Sequence, residues 1–543
     1  MSETNNSNYQ IRLPLILCIG LAGGVLIGAS LNTATPGSND ISKDVQKFRE
    51  VLNLVEQEYV DDAKTAALVD DAIGHMLTKL DPHSAYIPAS ERIEANEDLR
   101  GNFEGIGIEF NIFDDTLVVV SPLSGGPSEA VGLQSGDRIV KVDDKIIAGV
   151  GLSSADVFKY LKGPKGTEVK LEVVRRGTDK PIQYTIIRDK IPQSSVDVSY
   201  MIDHEVGYIK VSRFAQTTYD EFMKALADLK AKGMKKLVLD LQNNPGGYMG
   251  QAIDIADELL PAGQKIVFTK GKDVRNNTEA VTTSKGEFEQ GDLIVLVNEG
   301  SASASEIVSG ALQDNDRALI VGRRSFGKGL VQSPFDLNDG SELRLTVSRY
   351  YTPSGRSIQR PYSDKEEYYA EVYQGRFQSG EFFHADSVKF NDSLKYQTQG
   401  GRTVYGGGGI MPDYFVPLDT ANNSVYFNRL FNANVLREYA FNYAQNNESK
   451  LSGMGYETYY KSFSVTDAML ADVMEMGRKK QITPQPQELQ RKKKIFQIYL
   501  KAEIARRIWN SEGFYPIINE DNEILQQAVK LFDRVPDLQR SRM

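Results

Sequence analysis

The middle of the chain repeats one unit, an apolar run that ends in a turn of small residues and leads into a helix. Runs at 236–241 and 293–297 have this form, 206–211 precedes them, and 318–321 begins another. A short, continuous apolar run indicates a strand buried on both faces. Alternating strands and helices favour a mainly parallel sheet. The turns after the strands then lie at the carboxyl edge of that sheet, where α/β proteins place their sites.

The turn after 293–297 carries three serines within the range 301–305. A serine at the start of a helix lies beside backbone N–H groups that can hold an oxyanion. Ser303 and Glu306, three residues apart, also match a capping box, which is a purely structural arrangement. Taken alone, the local sequence favours the cap, so a catalytic serine here needs support from the rest of the chain.

Two glycine-rich turns bear on that choice. The first, 242–247, follows a buried strand and ends in two glycines. The second, 325–329, flanks Lys328 with glycines and has apolar neighbours. Burial lowers the pKa of a lysine and leaves a neutral amine that can take a proton, although a solvated loop lysine is the commoner outcome. A phosphate loop would need a serine or threonine after the lysine, and this loop has glycine.

Composition argues against several other classes of protein. The formal net charge is −10 with no long basic run to offset it, which argues against nucleic acid as a partner. Cys18 is the only cysteine and the four histidines are scattered singly, so neither disulfides nor a metal centre is expected. No metal or organic cofactor is implied. His83 adjoins Ser84, but adjacency in sequence does not make a catalytic pair, and we expect no dyad there.

Residues 13–31 are nineteen uncharged residues, long enough to span a bilayer as a helix. We expect an uncleaved anchor; a cleaved signal peptide is the alternative, because 28–30 resemble a cleavage site. Arg12, at the end of the short tail 1–12, places the rest of the chain outside the cytoplasm. The expected location is the bacterial inner membrane, with the catalytic part in the periplasm beyond a linker at 32–40.

After a helical region at 41–99, residues 100–188 change to short strands with two short helices. A glycine loop before an edge strand, in this order of elements, resembles a PDZ domain. In that family the loop N–H groups hold a peptide's terminal carboxylate while the peptide adds a strand to the sheet. The resemblance implies a peptide site at Gly105, Ile106, Gly107 and Ile108. A small β-domain without a peptide site is the alternative.

The glycine turn, the serine corner and the lysine loop, in this order, closely resemble the carboxyl-terminal processing (tail-specific) serine proteases. The matching strings are 240–247, 301–306 and 325–329, supported by 351–356 and 401–410. One departure stands out, because the family typically has arginine where this chain has Gln242. That substitution leaves the turn intact and puts any charge contact at the position in doubt.

The resemblance implies a multidomain α/β fold. A crotonase- or Clp-protease-like core is expected at 189–418, interrupted by an insertion at 361–400, with the PDZ-like domain ahead of it. A helical region follows at 419–543, for which we expect a role in homo-oligomer formation or in substrate tethering.

Carried over residue by residue, the resemblance makes Ser303 the nucleophile and Lys328 the general base. Gln332 matches the residue that helps to orient the lysine. A serine hydroxyl is a weak nucleophile until a base takes its proton, and a desolvated lysine can do so without histidine. The backbone N–H of Ala304 would form one half of the oxyanion hole. Gly246 or Gly247 would supply the other half, and the sequence does not distinguish them.

The PDZ-like domain then explains substrate choice. Holding a free carboxyl terminus delivers the adjacent segment to the dyad, and an apolar pocket implies an apolar terminal residue. The expected substrates are exported or misfolded polypeptides with such tails. One alternative function is a non-catalytic peptide-binding scaffold with the same fold. Another is a crotonase-like acyl-transfer enzyme, and the PDZ-like segment argues against this second alternative.

Overall fold

The computed structural model describes residues 38–123, 125–283, 286–362, 364–388, 391–419 and 424–536. The chain divides into two compact units, 1–76 and 77–543. The described part of the first unit consists of α1 (Ser38–Glu58) and most of α2 (Thr65–Thr78). Across the described ranges, no helix combines the length and the apolar character that a membrane crossing requires. The predicted anchor at 13–31 lies outside these ranges.

The strands of the second unit, in chain order, are β1 (Ala85–Ile87), β2 (Asn102–Gly105), β3 (Ile108–Phe113), β4 (Thr116–Pro122), β5 (Arg138–Val142), β6 (Lys145–Ile146), β7 (Glu168–Val174), β8 (Ile182–Ile187), β9 (Asp189–Pro192), β10 (Val196–Met201), β11 (Val206–Val211), β12 (Lys236–Asp240), β13 (Lys265–Gly271), β14 (Glu279–Val281), β15 (Asp292–Val297), β16 (Leu319–Gly322), β17 (Leu330–Asp336), β18 (Glu342–Tyr351), β19 (Lys395–Gln397), β20 (Thr403–Tyr405) and β21 (Tyr414–Phe415).

The remaining α-helices are α3 (Arg92–Arg100), α4 (Pro127–Ala130), α5 (Ser154–Leu161), α6 (Thr218–Ala231), α7 (Met249–Leu259), α8 (Ala304–Asp314), α9 (Lys365–Ala370), α10 (Arg376–Gln378), α11 (Val425–Asn432), α12 (Val435–Asn446), α13 (Glu448–Met454), α14 (Tyr456–Ser462), α15 (Asp467–Lys479), α16 (Pro486–Arg491), α17 (Lys493–Ile518) and α18 (Glu523–Lys530). A π-helical turn at Glu371–Gly375 joins α9 to α10.

The central sheet has six strands in the spatial order β10-β11-β12-β15-β16-β21. Within this sheet the neighbouring strands β11, β12, β15, β16 and β21 run parallel to one another, and β10 is an antiparallel edge strand. Successive residues of each strand enter different apolar layers, which is why the runs are continuously apolar. Leu239 packs with α6, α7 and α8 on one face. Val238 packs with α18 on the other, so the last α-helix among the described residues covers the second face of this sheet.

The β-domain that precedes the core has the strand order β3-β4-β5-β7-β8, with β6 paired to β5. Strand β3 therefore lies at an edge, beside α5, and Phe110 meets Phe158 of α5 with ring centroids 5.6 Å apart. A capping box between Ser153 and Asp156 starts α5. Strands β2 and β9 pair where the chain enters and leaves this domain. An edge strand beside a helix is the arrangement to which a peptide adds as a further strand in PDZ domains.

The second unit also contains another sheet. It has the order β1-β18-β13-β14, and β17 also pairs with β18. The short strand β1 lies within 41–99, the region expected to be helical, and its three residues give no periodicity that the sequence could show. Its pairing with β18 brings residues 81–84 against the β17–β18 hairpin, an arrangement that local sequence does not encode.

The C-terminal helices have an apolar cluster of their own and also contact both other parts of the second unit. In α17, Arg506 donates to Glu109 of β3 at 2.9 Å, and Tyr515 donates to Asp197 of β10 at 2.7 Å. Between those contacts the helix is kinked, with Asn510 at φ 53°. One helix thus joins the edge strand of the β-domain to the edge strand of the central sheet.

Candidate active site

The serine corner lies between β15 and α8, at the carboxyl edge of the central sheet. Ser303 has φ 54° and ψ −111°, a conformation that few non-glycine residues adopt. Such a residue costs about 1–3 kcal/mol and persists only where the surroundings enforce it. A sharp strand-to-helix turn of this kind exposes a nucleophilic serine in other hydrolases. One half of the capping box predicted for Ser303 and Glu306 is formed, since the Glu306 carboxylate accepts the Ser303 N–H at 2.9 Å, and this leaves the Ser303 hydroxyl free for another role.

The three serines of the corner differ in what their hydroxyls do. Ser301 is fully buried and donates to the Leu241 carbonyl oxygen at 2.8 Å. Ser305 is also fully buried and donates to the Asn244 carbonyl oxygen at 2.9 Å. Ser303 is half-buried, and its hydroxyl donates to no described residue. The outer serines therefore hold the corner onto the glycine turn, and the middle one keeps its proton available.

The glycine turn packs directly on Ser303. A Cβ placed on Gly246, which has φ 98°, would lie 2.7 Å from Ser303 Cβ and 2.9 Å from the Ala304 nitrogen. Real Cβ atoms do not approach this closely, so only glycine fits here. The Asn244 carbonyl oxygen accepts the Ala302 N–H at 2.9 Å, which fixes the turn against the corner.

The two glycines differ in the use of their N–H groups. The Gly246 N–H donates to Asn244 Oδ1 at 2.9 Å. The Gly247 N–H donates to no described residue, since the neighbouring bridge uses the Gly246 carbonyl and the Tyr248 N–H instead. The Ala304 N–H, at the first position of α8, is also uncommitted. Gly247 and Ala304 are thus the free donors beside Ser303.

Gln242 stands where the family typically has arginine, and a lysine of the neighbouring strand lies close to this position. Lys210 of β11 donates to the Gln242 carbonyl oxygen at 3.2 Å, and its amine lies 3.5 Å from Asp240 Oδ2. The Gln242 side chain also donates to that carboxylate oxygen, at 3.2 Å. The end of β12 is therefore held by a lysine and an amide rather than by an arginine.

The lysine loop is tied to the serine corner by one buried carboxylate. Glu306 is fully buried, and its Oε2 accepts the backbone N–H of both Ser303 and Lys328, each at 2.9 Å. Its Oε1 accepts the Ser325 hydroxyl at 2.5 Å and the Gly327 N–H at 2.7 Å. Burial raises the pKa of Glu306, and the four hydrogen bonds act in the opposite direction. Glu306 thus fixes the backbones of Ser303 and Lys328 relative to each other.

The Lys328 side chain has the electrostatic character of a base. Burial lowers the pKa of Lys328 below its ordinary value, while the charges of Glu306 and Asp81 oppose that shift. The lowered pKa favours a neutral amine, which is the form that accepts a proton. The Lys328 amine and the Ser303 hydroxyl are not hydrogen-bonded to each other; such bonds are commonly long in enzymes without bound substrate. Gln332 lies on β17 and donates to Thr346 Oγ1 at 3.0 Å.

His83 lies beside the lysine, which the sequence did not predict. Its ring contacts Tyr368 and Tyr369, and burial, followed by the charge of Lys328, lowers the pKa of His83 to about 3. The imidazole is therefore neutral. Ser84 donates to Asp81 at 2.7 Å rather than to His83, so the two adjacent side chains are not hydrogen-bonded to each other.

The stretch 361–400 holds the lysine loop in place. Arg376, almost fully buried, donates to three successive carbonyl oxygens, those of Arg324, Ser325 and Phe326. The Tyr368 hydroxyl reaches the Gly327 carbonyl oxygen at 3.3 Å. The sequence analysis found no periodicity here, because the helices α9 and α10 are short and joined by a π-turn. The sequence carries no signal for the burial of Arg376, and only the structure shows that this arginine needs its carbonyl partners.

In the β-domain, the predicted peptide loop precedes the edge strand β3. Gly107 has φ 73°, and a Cβ there would lie 2.9 Å from Ile191 Cδ1. The Ile106 side chain is buried in the same apolar cluster as Val157 and Leu161 of α5, and Ile108 packs against that cluster from the edge. Gly105 ends β2. The four loop residues thus lie together between the end of β2 and the start of the edge strand β3.

Replacing Glu306 by glutamine is expected to loosen the corner. The amide would turn its NH2 group toward two of the four donors, and each buried donor without an acceptor costs roughly 1–3 kcal/mol. We expect a lower free energy of unfolding in urea and a lower rate of peptide hydrolysis. Glu299→Gln is the control, because Glu299 pairs with Arg323 at 2.9 Å in the same turn without touching Ser303 or Lys328. Equal losses of activity in both variants would contradict the role given to Glu306.

The sheet and its serine corner define an α/β serine hydrolase, with a separate β-domain that reads peptide ends in many proteins. Models of known families match four segments of the chain, and two of them bear directly on that class. Residues 205–364 match peptidase family S41 and residues 105–186 match the PDZ domain. Residues 27–90 match the N-terminal domain of the activating protease CtpB, and 426–510 match a family of unknown function.

Individual relatives extend the agreement. A carboxy-terminal-processing protease of Bartonella bacilliformis is 38% identical over 351 residues, which is 63% of this chain and 80% of the relative. A probable CtpA-like serine protease of Staphylococcus aureus is 37% identical over 371 residues, 66% of this chain and 73% of the relative. Among solved structures, that of the photosystem II D1 C-terminal processing protease is 29% identical in sequence. The match covers 57% of this chain and 89% of that protein's chain, with a TM-score of 0.33.

The chain belongs to peptidase family S41, as a C-terminal processing serine protease with a PDZ domain. The family, the multidomain α/β fold class and the enzyme class predicted from the sequence are thereby confirmed.

Proposed function

We propose that the protein is a tail-specific serine endopeptidase in which Ser303 is the nucleophile and Lys328 the general base. The proposal rests on the different roles of the three serine hydroxyls at the corner. Two serines are buried in structural hydrogen bonds, whereas Ser303, on a strained backbone, keeps a free hydroxyl beside two free N–H groups. Glu306 links this residue to the one lysine of the adjoining loop.

The chemistry follows from these positions. The neutral Lys328 amine takes the Ser303 proton as the hydroxyl oxygen attacks the scissile carbonyl carbon. The carbonyl oxygen becomes an oxyanion that accepts the Gly247 and Ala304 N–H groups, each donor contributing about 3–4 kcal/mol. Lys328 then gives its proton to the leaving amine, and the C–N bond breaks. Water, deprotonated by the same amine, hydrolyses the acyl-enzyme and returns the proton to Ser303.

We propose that the PDZ domain selects the substrate by its carboxyl terminus. The free edge of β3 and the apolar cluster behind Ile106 support a peptide that adds as a strand and buries an apolar last side chain. The loop at 105–108 would hold the terminal carboxylate. Exported or misfolded polypeptides with apolar tails are the substrates that fit this arrangement, handled by an enzyme anchored through residues 13–31 on the periplasmic side of the membrane.

A pair of matched substrates tests this function. One is a poorly folded protein that ends in an apolar residue with a free carboxylate, and the other is the same protein ending in aspartate. We expect the first to be cleaved faster by an order of magnitude or more, because a buried, unpaired charge at the tail costs several kcal/mol. Initial rates at matched concentration, followed by gel and mass spectrometry, give the ratio. Equal rates would contradict tail selection, and Ser303→Ala serves as the inactive control.

A further inference from the structure

Gln332 begins a chain of hydrogen bonds that leads away from Ser303 and Lys328. Gln332 of β17 is paired with Thr346 of β18, and its Nε2 donates to Thr346 Oγ1 at 3.0 Å. An amide has one donor end and one acceptor end. With the donor end on Thr346, the oxygen is the end left for another partner. What keeps the amide in this orientation lies on the other side of Thr346.

Thr346 leads to a carboxylate through Ser84. Pairing of β1 with β18 places Ser84 Oγ 3.3 Å from Thr346 Oγ1 and 2.7 Å from Asp81 Oδ2. Ser84 has a single hydroxyl proton, and the short contact with the carboxylate takes it. Its oxygen accepts the backbone N–H of Thr346 at 3.1 Å, and the Thr346 hydroxyl oxygen accepts from Gln332. The Thr346 side chain also acts on Asp81 directly, through a hydrogen bond that helps to lower the pKa of that carboxyl. Asp81 is therefore the final acceptor of this chain.

Asp81 is built to remain an acceptor. It is 7% exposed, and its Oδ1 accepts the backbone N–H groups of His83 and Ser84, each at 2.8 Å. Burial acts to raise the pKa of Asp81, but the hydrogen bonds from Ser84 and His83 prevail and lower it. An ionised carboxylate can only accept. The direction of the whole chain is therefore fixed at its far end.

We propose that Asp81, acting through Ser84 and Thr346, is a positioning residue that keeps the amide oxygen of Gln332 turned toward Lys328. The inference rests on the proposed function of Lys328. An acceptor at the lysine takes one of its N–H groups and leaves the nitrogen lone pair directed at Ser303. An amide turned the other way would present NH2 to that lone pair and block proton transfer. Asp81 thus acts on the base without touching substrate.

Asp81→Asn tests the direction of the chain while keeping the turn. Asparagine retains an oxygen for the two backbone N–H groups but presents NH2 to the Ser84 and Thr346 hydroxyls, so the Thr346 hydroxyl proton turns toward Gln332. We expect kcat to fall by about 10- to 100-fold, as misorientation of a catalytic group does, with KM unchanged. The acid limb of the pH–rate profile should also move, because the groups around the lysine change. Asp339→Asn is the control; Asp339 similarly accepts the N–H and hydroxyl of Ser341, at the far end of the same hairpin.

A double-mutant cycle separates this role from a general loss of structure. If Asp81 acts through Gln332, Asp81→Asn should cost less than about twofold in a Gln332→Ala background, since coupled residues are not additive. Ser84→Ala interrupts the chain without altering Asp81 and should show the same dependence on Gln332. Additive effects, or a wild-type kcat in Asp81→Asn, would overturn the inference while leaving the proposed function intact. Full activity of Ser303→Ala would overturn the proposed function, and this inference with it.

Discussion

Replacing Ser303 by alanine is expected to lower kcat on the order of 10⁶-fold, the loss seen when a serine nucleophile is removed from other hydrolases. The strained backbone at φ 54° should remain, because Glu306 and the packing of Gly246 hold it independently of the hydroxyl. The melting temperature should therefore stay close to that of the wild type. Single-turnover hydrolysis of a tail-bearing protein, together with a thermal melt, measures both quantities.

Ser301→Ala and Ser305→Ala are the matched controls. Each removes a buried hydrogen bond to a carbonyl oxygen that keeps one backbone donor, which costs about 0.5–1.5 kcal/mol of stability. Ser301→Ala also leaves the Asn298 N–H without its acceptor, which adds about 1–3 kcal/mol. We expect their loss to appear in the unfolding midpoint, with hydrolysis within about tenfold of the wild-type rate. If either control lost activity as completely as Ser303→Ala, or if Ser303→Ala stayed active, the assignment of the nucleophile would be wrong.

Lys328→Met is expected to reduce kcat by about 10⁴-fold, the upper end of what a general base contributes. Lys328→Arg should be as inactive, although it keeps the charge and most of the length, because a guanidinium does not give up its proton near neutral pH. The arginine variant is thus the sharper test. A purely electrostatic lysine would be replaced by arginine with a small loss, whereas a base would not.

The pH dependence gives the same test on the unaltered enzyme. Only the neutral amine accepts the Ser303 proton, so kcat/KM should rise with pH through the pKa of Lys328 and then level off. Burial lowers that pKa, so the rise should be centred below the ordinary lysine value of about 10.4. His83 is buried and neutral, with its pKa lowered to about 3, so it should not contribute a step near pH 6.5. A kcat/KM that does not rise with pH, or a rise that persists unchanged in Lys328→Met, would contradict the lysine.

The fold of the core was largely predictable, since its signals are local. The strand at 293–297 and the helix after it are a continuous apolar run followed by helical spacing, and the structure has them at β15 and α8. The PDZ helix at 154–161 begins with Ser153, which caps it. In each of these segments the residues that define an element are its own neighbours in sequence.

The site was predictable only in part. Its sequence motifs could be recognised. Which of Gly246 and Gly247 has a free N–H for the oxyanion depends on the position of Asn244 Oδ1, which accepts the Gly246 N–H. The position of Asp81 near Lys328 depends on the three-residue strand β1 pairing with β18, across most of the chain. No periodicity extends over such a distance. The grip of Arg376 on the lysine loop is of the same kind, a contact made by tertiary packing alone.

The carboxylate shared by Ser303 and Lys328 also limits how this enzyme can be switched off. Of the four hydrogen bonds that Glu306 accepts, three come from the lysine loop, and at about 1.5–3 kcal/mol each these amount to roughly 5–9 kcal/mol. The net stability of a typical domain is about 5–15 kcal/mol. Separating the lysine loop from the serine corner would therefore forfeit a large share of such a stability. A resting state that is reached cheaply must keep the serine and the lysine loop together and differ in side-chain rotamers or in the position of the glycine turn.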